Sequence, residues 1–198
     1  YMRPLPAFSI LQFDPLTVPG PGLKVKRDTP VESEPIDEVQ CRFRTCYPTD
    51  VMALDLKALN YSVKGDGSLL SLRLEMSADG HLGELELSRL RLHFAGERYI
   101  SQMLYLSVLR NLESIELVPL DASGNPLEGA GGRTMAFKMP GDRVKPVGFA
   151  EEEALIPYPL NTFRGYRYLQ EYFAFQDKFL FVDVNGLGYE LEVPMTTL

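Results

Sequence analysis

The sequence predicts a β-rich α+β protein, built mainly from antiparallel sheets with two helices. Apolar residues recur at every second position through most of the chain, which is the period of a strand with one solvent-facing side. Two segments depart from this period and place apolar side chains at helical spacing, at residues 98–110 and 165–174. Glycine-containing turn sequences separate several of the alternating segments, which is typical of hairpins.

Charge and composition exclude several classes of protein. The 198 residues include 20 Lys and Arg against 27 Asp and Glu, for a net charge of −7. An acidic chain repels phosphate backbones, so we expect no nucleic-acid partner. The sequence contains no run of about 18 apolar residues, so we expect no direct membrane insertion. Cys41 and Cys46 are five residues apart, on opposite faces of a strand, so we expect no disulfide and a reducing compartment.

Short strands are predicted through the first 94 residues. The sequence Gly65-Asp66-Gly67 predicts a hairpin turn between two of them. The alternation of inward-facing apolar residues shifts by one position near Ala58 and again near Ser88 and Arg89, which predicts a β-bulge at each place. The predicted strands lie at residues 4–13, 23–27, 39–45, 56–63, 70–76 and 85–94.

The first predicted helix packs on a sheet and precedes an irregular region. Its inward face is predicted to consist of Ile100, Met103, Leu104 and Val108. A strand at 114–117 follows. Ten of the 30 residues from 119 to 148 are Gly or Pro, which predicts either irregular hairpins with a strand at 135–139 or a linker.

The last 50 residues predict a helix followed by a hairpin. A single helical turn is expected at 151–155, before the helix at 165–174. Residues 179–184 are apolar on both faces except for Asp183, which predicts an internal strand. Asn185-Gly186 is a two-residue turn, and a final strand is expected at 189–193. The chain is therefore divided into a β-rich subdomain (1–118), an irregular segment (119–148) and a helix-plus-hairpin subdomain (149–198).

The sequence lacks the motifs that carry catalysis or hold a cofactor. It has neither a Gly-x-Ser-x-Gly elbow nor a glycine-rich phosphate loop. Cys41 and Cys46 lack the spacing of zinc or redox pairs, and His81 and His93 are expected at the surface. Most carboxylates alternate with apolar residues, as on a solvated sheet face. We predict no catalytic residue, metal or cofactor, and a hydrogen-bonded structural role for Asp183.

Aromatic residues are concentrated near the second helix. Eight of the 21 aromatic residues lie between Phe163 and Phe181. Tyr166 and Phe173 share one helix face, and Phe179 and Phe181 share one strand face, as core residues would. Tyr168, Tyr172 and Phe175 point elsewhere. Aromatics on a second face favour packing against another domain or chain. The candidate interface consists of Tyr166, Tyr168, Tyr172, Phe173 and Phe175.

This aromatic segment also carries a family resemblance. Residues 165–183, GYRYLQEYFAFQDKFLFVD, resemble the signature GYRLLQEYFAFPEKFLF of the TssF family, also called VasA or ImpG, with Gln176 in place of the usual proline. Three further segments agree in the same order. YMRPLPAFSILQF (1–13) resembles YLRPIPSMSIVQF, CRFRTCY (41–47) resembles FRT-x-Y, and PVGFAEEEAL (146–155) resembles PVGFxxxEALLPY.

The resemblance implies a structural role without catalysis. TssF is a component of the baseplate wedge of bacterial type VI secretion systems. The implied partners are TssG, then TssK, TssE and the spike-tube hub, with a second TssF copy as a further candidate. The implied location is cytoplasmic, in a baseplate docked at the inner-membrane complex of a Gram-negative bacterium. Family members are considerably longer, and Tyr1 is not an initiator residue, so an internal fragment is expected.

Two other functions stay open on the residues alone. The first is a ligand-binding β module, for example one for carbohydrate, which exposed aromatics on a sheet face would favour. The second is a hydrolase with a carboxylate pair, which two acidic groups about 5–10 Å apart in a cleft would favour.

Overall fold

The computed structural model describes residues 5–14, 18, 22–77, 85, 87–129, 131–159 and 162–187. The chain forms two compact units, one of residues 9–85 (the N-terminal unit) and one of residues 1–8 and 86–198 (the C-terminal unit). The subdomains predicted from the sequence divide the chain at other positions than these two units do, and they stay a prediction.

Three antiparallel strand pairs make up the described part of the N-terminal unit. β1 pairs with β4, β2 with β3, and β5 with β6. The buried residues Val51 and Ala53 lie at the end of β4 and just after it. The strands are β1 (Gly22–Val25), β2 (Pro30–Glu32), β3 (Arg42–Arg44), β4 (Thr49–Met52), β5 (Leu54–Lys64) and β6 (Gly67–Met76).

The β5–β6 hairpin confirms two predictions. Its turn lies at Gly65 and Asp66, where Gly65 has a φ of 60° that a residue without a Cβ adopts easily. The register shifts between Leu56 and Ala58, which is the expected bulge. Because the bulge absorbs one residue, Leu59 stays on the same apolar face as Leu56 and pairs with Leu72 of β6.

Two strand predictions and one bulge prediction for the first 94 residues need correction. Residues 5–14 form no regular strand; Pro6 lacks the N–H that a strand partner would need. The strand predicted at 39–45 is shortened to β3, because Val39 instead closes a tight turn with Ile36. Leu87 and Ser88 form a turn before the next strand, so no bulge is present there.

The C-terminal unit contains both helices, and both confirm the sequence prediction. A three-stranded antiparallel sheet has the order β10–β11–β7, and β8 pairs with β9. α1 packs against β10 and the 3₁₀ helix Gln176–Leu180. The elements are β7 (Arg89–His93), α1 (Arg98–Asn111), β8 (Ser114–Leu117), β9 (Phe137–Pro140), β10 (Val144–Pro146), α2 (Arg164–Ala174) and β11 (Phe181–Asn185).

The inward face of α1 agrees with the predicted one only in part, since Leu104 and Val108 are half-buried. Ile100 and Met103 are exposed, whereas Ser101 is buried and Tyr105 meets Phe94 edge-on at 5.9 Å. Apolar residues occur on both sides of this helix, so its sequence does not determine which side turns inward. Neither α1 nor α2 combines the length and hydropathy of a membrane-crossing helix, in the part of the chain that is described.

The region from 119 to 148 contains two irregular hairpins. They are closed by the isolated bridges Leu120–Pro126 and Glu128–Thr134. In the first, an Asp121 carboxylate oxygen accepts hydrogen bonds from the backbone N–H groups of Ser123 and Asn125, both at 2.8 Å. β9 then corresponds to the strand predicted at 135–139.

The middle strand of the sheet is the internal strand that the sequence predicts. β11 begins at Phe181 because Phe179 and Leu180 belong to the preceding 3₁₀ helix. Val182 and Val184 point into the core with Met139 and Val147. The single helical turn expected at 151–155 is the 3₁₀ helix Glu151–Glu153. The strand predicted at 189–193 lies outside the described residues.

Candidate protein-contact surface

Helix α2 has its polar side chains inside and its aromatic side chains outside. Arg167 and Glu171 are 8% and 1% exposed, whereas Phe163 and Phe173 are 79% and 78% exposed. Tyr166 is also exposed. The sequence left both a core position and a contact surface open for Tyr166 and Phe173. Both are exposed, so the core interpretation of these two residues is wrong.

A buried ion pair lies on the inward, polar face of α2. Lys178 Nζ, on the 3₁₀ helix that follows α2, donates to Glu171 Oε2, and these side chains are 2% and 1% exposed. Glu171 Oε1 accepts a hydrogen bond from the backbone N–H of Leu155 at 3.0 Å. Both carboxylate oxygens are thus satisfied by groups that lie outside α2, as a buried charge requires.

Two further groups complete the polar interior. The Arg167 guanidinium lies 5.1 Å from the centre of the Tyr168 ring, in cation–π geometry. Burial, reinforced by the nearby Glu171 carboxylate, raises the pKa of Tyr158 well above its usual range. The Tyr158 phenol therefore stays in its neutral form beside the buried Glu171 carboxylate.

The opposite side of α2 forms an uncharged apolar surface, which we call the outer face of α2. Tyr166, Leu169 and Phe173 follow one another at helical spacing, so their side chains lie on one side of the helix. Exposed apolar clusters of this kind mark contact surfaces more often than scattered single residues do. The outer face consists of Phe163, Tyr166, Leu169, Tyr172 and Phe173, all exposed.

The five residues predicted as an interface divide into two groups. Tyr166, Tyr172 and Phe173 lie on the outer face. Tyr168 is half-buried, and its hydroxyl donates to the Phe149 carbonyl. Phe175 is half-buried and stacks on Phe8, with ring centres 5.9 Å apart. Tyr168 and Phe175 therefore make contacts within the unit.

The sequence analysis missed two members of the outer face. Phe163 immediately precedes the helix, and Leu169 lies between Tyr166 and Phe173 at helical spacing. The spacing of Leu169 was visible in the sequence, but helical spacing does not show whether the face that it defines is covered.

The histidine and aspartate that were considered for chemistry, His93 and Asp183, make contacts within the fold. His93 is half-buried and stacks on Phe181, with ring centres 4.3 Å apart, so its predicted surface position is wrong. Burial lowers the pKa of His93, although nearby Asp177 opposes the shift. Asp183 is hydrogen-bonded to Arg91, which confirms its predicted role. Within the described ranges, no three His, Cys, Asp or Glu side chains are clustered to hold a metal. His81 lies outside these ranges.

Comparison with known proteins gives one consistent family. A family model described as "Type VI secretion system, TssF" matches residues 1–197. The type VI secretion system component TssF1 of Pseudomonas aeruginosa strain PAO1 is 26% identical over 209 residues, and the match covers 96% of this chain and 32% of that protein.

A solved structure agrees with this match. The cryo-electron microscopy structure of the TssK–TssF–TssG baseplate subcomplex contains a chain that is 29% identical, with a TM-score of 0.66. The similarity covers 88% of this chain and 31% of the matched one. The chain thus spans about a third of the length of the relatives that it matches.

Proposed function

Because the chain belongs to the TssF family, we propose that it is a structural part of a type VI secretion baseplate wedge that acts through protein–protein contacts, without turning over a substrate. The proposed partners are TssG and TssK, since the similar solved structure is a complex with both. At a finer level, we propose contacts with TssE, the spike-tube hub and a second TssF copy, in a baseplate assembled in the cytoplasm and docked at the inner-membrane complex.

The orientation of α2 is the observation that supports a contact surface in this chain. Exposed aromatic and leucine side chains leave apolar area in water, while charged side chains of the same helix are buried. Burying one large apolar side chain is worth about 1.5–3 kcal/mol, so a partner that covers three of them gains roughly 5–9 kcal/mol before ordering costs. We propose that Tyr166, Tyr172 and Phe173, with Phe163 and Leu169, contact this partner.

Tyr168 and Phe175 have a different proposed role. Their contacts with Phe149 and Phe8 hold α2 in place, so they support the surface without forming it. A carbohydrate-binding module would be favoured by aromatics on a sheet face, but this exposed aromatic cluster lies on a helix.

The test is co-purification of the full-length protein with TssG and TssK from the same organism. We expect Tyr166→Ser with Phe173→Ser to reduce recovery of the complex by about tenfold, which corresponds to roughly 1.4 kcal/mol. The matched control, Tyr99→Ser with Ile100→Ser, removes two other exposed apolar side chains, from α1 of the same unit. Equal recovery of both variants, with unchanged circular dichroism, would refute the proposed surface.

A further inference from the structure

The rotation of α2 about its own axis determines which of its two faces is buried. One face carries Tyr166, Leu169 and Phe173, and the hydrophobic effect alone would turn this face into the core. The other face carries Arg167 and Glu171, which would then point to water. The structure has the reverse arrangement, so specific contacts must outweigh the general preference.

We propose that the buried pair Glu171–Lys178 is a positioning device that keeps the outer face of α2 turned outward for a partner. This inference rests on the function proposed above, and it assigns to both residues a role in presenting the surface. Neither residue touches the partner.

The contacts of Glu171 explain how the pair sets the rotation. Its carboxylate is held at two points, by Lys178 Nζ and by the backbone N–H of Leu155 at 3.0 Å. One point follows α2 in the chain and the other precedes it, so the carboxylate ties together both segments that flank the helix. Turning the outer face inward would break both hydrogen bonds and leave the Lys178 ammonium buried without its partner.

The surroundings of Lys178 are fitted to its side chain. Its Nζ lies 5.0 Å from the centre of the Phe179 ring, in cation–π geometry. A Cβ at Gly148 would lie 3.2 Å from Lys178 Cε, so the glycine backbone lines the path of the lysine stem. The lysine therefore has one well-defined place, and the position of Glu171 follows from it.

The effect of a buried ion pair on the orientation of α2 can be separated from its effect on the stability of the fold. Such pairs add little net stability over well-packed apolar residues of similar volume, although loss of one partner alone is strongly destabilising. Replacing both residues with methionine should therefore preserve folding while removing the preference for the observed rotation. The outer face can then turn toward the core.

The experiment measures the exposure of position 173 directly. Phe173→Cys is introduced into the full-length protein after all of its cysteines, Cys41 and Cys46 among them, have been replaced by Ser, and its alkylation rate by a thiol reagent is recorded. Adding Glu171→Met with Lys178→Met should slow alkylation about tenfold as the population shifts toward the inward orientation. The matched control, Arg73→Met with Glu75→Met, removes an exposed ion pair and should leave the rate unchanged.

The outcomes separate this inference from the proposed function. Unchanged alkylation in a folded double variant would overturn the positioning role, whatever its effect on assembly. Slower alkylation supports the positioning role. The surface is then tested independently: Glu171→Met with Lys178→Met is made in the protein that retains Phe173, and this variant is co-purified with TssG and TssK. If the double variant does not fold, Glu171→Gln with Lys178→Met takes its place. It retains an acceptor for Leu155 N–H and leaves no unpaired buried charge, and slower alkylation is again expected.

Discussion

Arg91 and Asp183 form a two-point ion pair across the neighbouring strands β7 and β11. Arg91 Nε lies 2.7 Å from Asp183 Oδ1, and Nη2 lies 2.8 Å from Oδ2. The two residues are direct partners in the antiparallel register. Arg89 adds a second cation 3.7 Å from Oδ2. A carboxylate in the middle of an apolar strand is thereby paired and hydrogen-bonded, which makes its burial tolerable.

We expect Asp183→Asn to lower the free energy of unfolding by about 2–4 kcal/mol, because it leaves Arg91 partly buried without its anion. Urea denaturation followed by circular dichroism measures the change. Asp142→Asn, at an exposed carboxylate in the same unit, should stay within about 0.5 kcal/mol of the parent protein. Similar losses in both variants would show that the pair is not specifically stabilising.

His93 should make stability dependent on mildly acidic pH. Burial lowers its pKa in the folded protein, so below the ordinary value of about 6.5 the unfolded chain binds more protons than the folded one. Stability should therefore fall as pH drops from 7.5 to 5.0, with a His93 contribution of at most about 1.4 kcal/mol per pH unit. In His93→Gln, the loss measured by urea denaturation across this range should be smaller. An identical pH profile for the two proteins would contradict this expectation.

Glu97 caps the N-terminus of α1 with its side chain. Its carboxylate oxygens accept hydrogen bonds from the backbone N–H groups of Tyr99 and Ile100, both at 3.1 Å. We expect Glu97→Ala to lower the free energy of unfolding by about 0.5–2 kcal/mol. Glu97→Ser, which restores a capping oxygen, should recover most of the loss in a thermal or urea melt. A serine variant no more stable than the alanine variant would count against capping as the cause.

Gly141 lies where no side chain fits. A Cβ at this position would overlap the Leu112 carbonyl, and the Gly141 N–H donates to the Glu113 carbonyl at 3.0 Å. We expect Gly141→Ala to destabilise the protein by about 3 kcal/mol or more, since the backbone must move.

Gly131→Ala is the matched control for this steric effect. Gly131 has a φ of 86°, but a Cβ there would meet nothing within 4 Å, so only backbone strain of about 1 kcal/mol is expected. Thermal denaturation of the two variants should differ clearly. Equal melting temperatures would mean that the Gly141 backbone relaxes easily.

The sequence by itself determined the type and position of most elements. Helix α2, the β5–β6 turn at Gly65 and the bulge near Ala58 follow from local periodicity and turn chemistry, because each depends on residues within a few positions of one another. The hydrogen bonding of Asp183 was predictable for a similar reason, since an ionised carboxylate in an apolar strand must find a partner.

Only the tertiary structure decided which face of α2 meets solvent. The helical spacing of Tyr166 and Phe173 shows that they share a face, but it does not show which face is covered. That depends on Lys178 and Leu155, which reach Glu171 from outside the helix. Periodicity shows which side chains of one helix or strand share a face, whereas the burial of that face depends on the other elements that pack against it. The ion pair of Glu171 with Lys178, beyond the end of the helix, goes with an orientation opposite to the one that the hydrophobic pattern alone would assign.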